Sequence, residues 1–278
     1  MISSNPFADL STVIPNYIMQ GYVVAMFIMV IGGTILDMIH KRSAQYFFAN
    51  SKKAKAAAVR EVGAGAKASI AAKTVANEIL TSGEFQNTRR RLSHLFTMYG
   101  FILFLVSTVN MIFSLPDAAA SYMPMLWHLG ALMVCFGGYW FWFFIRVDVS
   151  AEGNPWYRLV RADMFVVSLI LTTTFALIWS ALQSAGVAGW QTLAFIAFIA
   201  SSTFLFSTVL WSKFAHMFFK PAAAYQKRVT KADGSRENLP EMADRTSAAD
   251  RNRHSMELLK DAPLDMGKGI SREAPRHY

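Results

Sequence analysis

Cysteine and charge are what this chain has least of. Its one cysteine, Cys135, lies inside an apolar run. A single thiol makes no internal disulfide, no CxxC cluster and no iron–sulfur centre, so any iron–sulfur chemistry must sit on a partner. Charged residues are 16% of the 278, against 54% hydrophobic and 14% aromatic, and the mean hydropathy is +0.29. That balance disfavours a soluble domain and marks an integral membrane protein. Lysine and arginine are absent from Met1 to Gln20, so no basic n-region of a cleavable signal peptide is evident. The net charge of +9 does not point to nucleic acid, because the basic residues fall in loops that alternate with apolar spans.

Apolar runs about 20 residues long, the length a helix needs to cross a bilayer core, recur five times. The expected fold is all-α: a five-helix membrane domain over residues 1–220, with spans near 14–40, 95–113, 125–145, 160–182 and 190–211. Pro15 stands where the first turn of a helix tolerates it, and Lys41 and Arg42 end the first span. Gly137 and Gly138 allow close packing in the third span. Trp127 and His128 at its start read as part of an interfacial belt. Residues 41–93 form a polar excursion rich in Ala, Lys and Arg, with amphipathic helical character and a break expected near Gly63 and Gly65. It reads as a solvated helical hairpin, or as a surface for the anionic leaflet or a partner. The segment 221–278 mixes both charges with Pro, Gly and Ser and is expected to be disordered.

Loop charge sets the expected orientation. Basic residues fill the loop after span one, flank the loop between spans three and four, and begin the tail, while the N-terminus and the other two loops have none. The positive-inside rule then puts the N-terminus outside and the C-terminus in the cytoplasm. Threaded onto this topology, His40, His94 and His216 reach the cytoplasmic face together with Asp37, Arg161 and Asp163. His128 lies alone at the other face. Ionisable residues near spans are costly and tend to line a cavity or pathway, which makes the inner face the candidate site. Asp37 and His40, three apart, share a helical face and also read as residues wetting the headgroup zone. One histidine near basic headgroups can simply hydrogen-bond lipid or backbone. Two at matched depth on different helices, His94 and His216, can hold six-coordinate iron, although zinc or a proton relay would use the same residues.

Three stretches, RRRLSHLFTMYGF opening span two, RADMFVVSLILTTTF opening span four and SKFAHMFFKP closing span five, resemble the five-helix membrane cytochrome b family. That family includes the gamma subunit of respiratory nitrate reductase and the membrane subunits of heterodisulfide-reductase-like and quinone-interacting oxidoreductases. The likeness covers Ile14 to Lys220. It implies haem b held axially by His94 and His216, and a single haem, since span two has no other histidine and span five has none before His216. It implies quinone or quinol bound near the haem. Their depth alone makes His40, Asp37, Arg161 and Asp163 candidate propionate, quinone or proton contacts. It also implies a partner, a cytoplasmic flavin/iron–sulfur redox enzyme such as adenylylsulfate reductase, and residence in a bacterial or archaeal cytoplasmic membrane. The resulting expectation is an electron-transfer subunit rather than a stand-alone catalyst. A cofactor-free membrane anchor is the main alternative. A small transporter is a weaker one, because the spans show little inverted repetition and no obviously broken helix.

Overall fold

The computed structural model describes residues 2–41, 43–83, 85, 87–115, 122–148, 153–209, 216–235 and 247–249; for 41, 43, 44, 46 and 216–218 it describes the backbone alone. The described residues are helical, without a strand. In order they form α1 (Pro6–Leu10), α2 (Asn16–Lys41), α3 (Ser43–Ala56), α4 (Ala64–Thr74), α5 (Thr88–Phe113), α6 (Met123–Trp140), α7 (Met164–Ser184), α8 (Ala188–Ser207) and α9 (His216–Asp233). Wide π turns extend α4 over Val75–Leu80 and α6 over Phe141–Ile145, and a 3-10 turn, Arg161–Asp163, leads into α7. Five helices, α2 and α5 to α8 with these extensions, are long and apolar enough to cross a membrane.

The closest packing lies between α5 and α6 and between α7 and α8. Glycine permits the first of these. A methyl group on Gly130 would stand 2.6 Å from the backbone nitrogen of Phe104, and one on Gly100 would stand 2.7 Å from the carbonyl oxygen of Gly130. The two backbones therefore touch, which is what small residues at a membrane helix interface allow. The buried stripe of α6 continues through Trp127, Ala131, Val134 and Gly137, spaced as one helical face. By contrast α2 is peripheral. Only 17% of its apolar window is buried, against 44% for the spans built on α6 and α7.

At one end of the bundle α1 closes the core. Phe7, 3% exposed, packs edge-on to Trp127 at 5.9 Å between ring centroids and tilts against Trp179 at 5.4 Å. Gln183 Nε2 donates to the Pro6 carbonyl and to Asp9 Oδ2, fixing α1 to the end of α7. Trp127 and His128 are 0% and 2% exposed, so they do not lie in an interfacial belt as the sequence suggested. The reason is packing from several elements: Phe104 of α5 stacks on the Trp127 ring at 5.1 Å, Phe7 of α1 and Trp179 of α7 meet it edge-on, and His128 bonds Ser180 of α7.

The opposite end carries the polar segments. The excursion breaks at 57–63, where α3 has ended and Gly63 caps α4, close to the expected point. Its helices pack on α9. Arg228 pairs with Glu78 at 2.5 Å, and the Asp233 carbonyl accepts from the backbone N–H groups of Val59 and Arg60 at 2.9 and 3.1 Å. Thus α9 runs on through Pro221 to Asp233 and folds back on the loop, so residues 221–233 are helix rather than the start of a disordered tail. Residues 236–246 and 250–278 lie outside the described residues.

Candidate functional site at the basic end of the bundle

His94 is built into α5 more deeply than its place at the edge of the apolar run suggested. Asn87 caps the helix, its side chain accepting from the N–H groups of Arg89 and Arg90 at 3.0 and 3.2 Å, so α5 begins almost two turns before His94. Three consecutive residues ahead of the cap are then tied down onto α5. The Leu80 carbonyl accepts from the Tyr99 hydroxyl at 2.6 Å, the Thr81 carbonyl accepts from Arg91 Nε at 2.7 Å, and the Ser82 hydroxyl meets His94 Nδ1 at 3.0 Å. Ser82 is 1% exposed and adopts φ 48, a left-handed conformation that a serine enters at a cost of about 1–3 kcal/mol. The three ties over-determine that turn. Its effect is to fix the plane of one imidazole.

Phe85 lies against the same imidazole, with ring centroids 4.9 Å apart. Two cations flank that phenyl ring: Arg90, 5.6 Å from its centroid, and Lys220, 5.3 Å from it. Lys220 stands one turn into α9, whose first residue is His216. The histidine side chain lies outside the described residues, but the beginning of its helix is against the His94 cluster. α8 stops at Ser207 and α9 begins at His216, while residues 210–215, where the expected end of span five falls, lie outside the described residues.

The other candidates separate. Asp163 is engaged by Arg146, which is 0% exposed: Nη2 reaches Oδ2 at 2.5 Å and Nε reaches Oδ1 at 3.4 Å. The same guanidinium donates to the carbonyls of Asn154, Pro155 and Arg158 and stacks over Trp142 at 4.2 Å, while Asp163 also accepts from the Val160 N–H. This is a knot that closes the loop between α6 and α7. Arg161 beside it is exposed. Asp37 and His40, read as one face of α2, divide: Asp37 is 3% exposed and His40 is exposed, so only the histidine fits the wetting of a headgroup zone. Among the described residues no group of three or more His, Cys, Asp and Glu gathers as a metal site.

His128, at the other end, is fully used within the fold. Its Nδ1–H donates to the Pro124 carbonyl at 2.7 Å and its Nε2 accepts from the Ser180 hydroxyl at 2.8 Å. If the chain holds a haem, His94 on α5 and His216 at the start of α9 are the two histidines that would hold it, a pair that fits bis-imidazole ligation by residue type alone. Sequence reasoning missed Ser82, Phe85, Arg90 and Lys220. The turn signal in TSGEF was visible, but its attachment to α5 is a long-range contact with no local pattern.

Comparison of the chain with profiles of known protein families, with curated proteins and with solved structures gives no match.

Proposed function

We propose that the chain is the membrane subunit of a redox complex, passing electrons between the quinone pool and a cytoplasmic flavin/iron–sulfur oxidoreductase such as adenylylsulfate reductase. The carrier is a single haem b with His94 and His216 as axial ligands. The observation that supports this reading most is the Ser82 turn. A buried serine at positive φ meets one histidine, in a turn tied to α5 by bonds from Leu80, Thr81 and Ser82, and a ligand to iron needs that aim more than a histidine facing headgroups does. Arg90 and Lys220 supply the propionate contacts in this reading, a role the sequence suggested for Arg161. Asp37, buried near the end of α2, is a candidate carboxylate for proton exchange in this reading, and both oxygens of Asp163 are engaged by Arg146 and the Val160 N–H. The N-terminus faces out and the basic end faces the cytoplasm, in a bacterial or archaeal cytoplasmic membrane.

The test is a dithionite-reduced minus oxidised visible spectrum of protein made under haem-replete conditions. The wild type should give a b-type band, absent in His94→Ala and in His216→Ala. The variant Ser82→Ala should keep iron but shift its midpoint potential, because the imidazole loses the partner at Nδ1. A colourless, well-folded wild type would sink the cytochrome reading.

A cofactor-free anchor is the second reading, and the cap formed by α3, α4 and α9 outside the spans favours it as a place for a soluble enzyme to dock. It requires a colourless protein that still co-purifies with that enzyme.

A further inference from the structure

Between α2 on one side and α5, α7 and α8 on the other lies a cavity of about 330 Å³. It sits midway along α2, bounded there by residues from Tyr22 to Ile31 and on the far side by Leu105, Leu169 and Leu205, among others. No polar atom faces it. The hydroxyls in its wall are spent on the protein: Tyr22 bonds Ser202 and Thr203, Thr108 accepts from Trp127 Nε1 and donates to the Phe104 carbonyl, and Thr172 donates to the Ser168 carbonyl. Water would find no partners there, while an apolar cavity of about 150 Å³ already takes up benzene.

We propose that this cavity is a binding site for one acyl chain of a surrounding phospholipid, whose headgroup stays outside. The cavity is partly open, and Phe27 and Ile31, which line it, are 44% and 59% exposed on a helix long and apolar enough to cross a membrane, so hydrocarbon around the protein can reach it. The chain completes the packing of α2. That helix is otherwise held by Met19 and Val23 in the core, by Tyr22 on α8, by Gln20 Nε2 donating to the Ile112 carbonyl of α5, and by Gly33 close against Val209.

The experiment uses the full chain in nanodiscs of phosphatidylethanolamine and phosphatidylglycerol doped with a phospholipid that carries a diazirine at mid-chain. After irradiation, adducts should concentrate on cavity residues such as Met26 and Leu105 rather than on Ile28 and Leu132, which are 63% and 55% exposed. Filling the cavity with Leu205→Phe should abolish the cavity adducts and leave those at Ile28. Val30→Phe, at a partly buried position on the same wall, serves if the first variant does not fold. Native mass spectrometry of the wild type should show one retained phospholipid. Adducts no denser in the cavity than at Ile28, or unchanged by either filling, would overturn the site. A retained polyprenyl compound in place of phospholipid would overturn the assignment of its occupant.

Discussion

Arg146 is the residue whose loss the fold would feel most. Its guanidinium is wholly buried, and every acceptor around it comes from the loop it closes or from Asp163 at the start of α7. Removing one member of a buried pair strands the other, at a cost of about 3–5 kcal/mol. Arg146→Met should therefore lower the melting temperature in detergent and open residues 153–160 to protease, and Asp163→Asn should do less, since its amide still accepts. Lysine is not a substitute, because a point charge cannot reach three carbonyls and a carboxylate in one plane. His128 makes the opposite case to His94. Both its nitrogens serve Pro124 and Ser180, so His128→Ala leaves the Ser180 hydroxyl short of a partner beside a new void and costs about 2–4 kcal/mol. If the protein binds haem, the same substitution leaves the reduced spectrum unchanged, which separates a structural histidine from a ligating one.

Among the elements, the α5–α6 pair depends most on single positions. Gly100 and Gly130 face each other with backbone in contact, so Gly130→Leu must push the helices apart or leave them unpaired. Overpacking of this kind costs about 1–3 kcal/mol where neighbours can shift, and here the neighbours are main chain. The expected result is loss of the monodisperse peak in size-exclusion chromatography, with Gly63→Leu, which meets open space, as the unaffected control. These elements were legible to different degrees. The spans could be read because a run of about 20 apolar residues is encoded locally and needs no neighbour. The faces could not. Trp127 and His128 looked interfacial because tryptophan at a span end usually is, and what buries them comes from elsewhere in the chain, Phe104, Trp179 and Phe7 around the indole and Ser180 on the imidazole. Likewise Pro221 and the charges after it read as the end of order, yet α9 gains a partner in the 43–80 excursion and stays helical. The Arg228–Glu78 pair is partly exposed and contributes less than about 1 kcal/mol, so the backbone bonds to Asp233 and the packing of α9 on α3 and α4 carry that attachment.

At the scale of the whole molecule the question is which way it faces. The two ends differ sharply in charge. One carries α1 and a loop without a basic residue, and the other gathers Arg89 to Arg91, the lysines of α3 and the basic residues of α9. Long loops report orientation poorly, because large segments translocate regardless of charge. The short segments report it better: Arg158 and Arg161 lie between spans three and four, and Lys220 lies just beyond span five. Cysteine accessibility tests this directly. In a Cys135→Ala background, Ser3→Cys and Ala58→Cys each place one exposed thiol at opposite ends of the bundle. A membrane-impermeant maleimide applied to intact cells, with the outer membrane opened where there is one, should label the first and reach the second only after lysis. The reverse pattern would turn the basic end outward. It would take His94, α9 and the cap away from any cytoplasmic enzyme, and both the electron-transfer reading and the anchor reading would fail together. The acyl-chain site, which lies midway through the bundle, would stand.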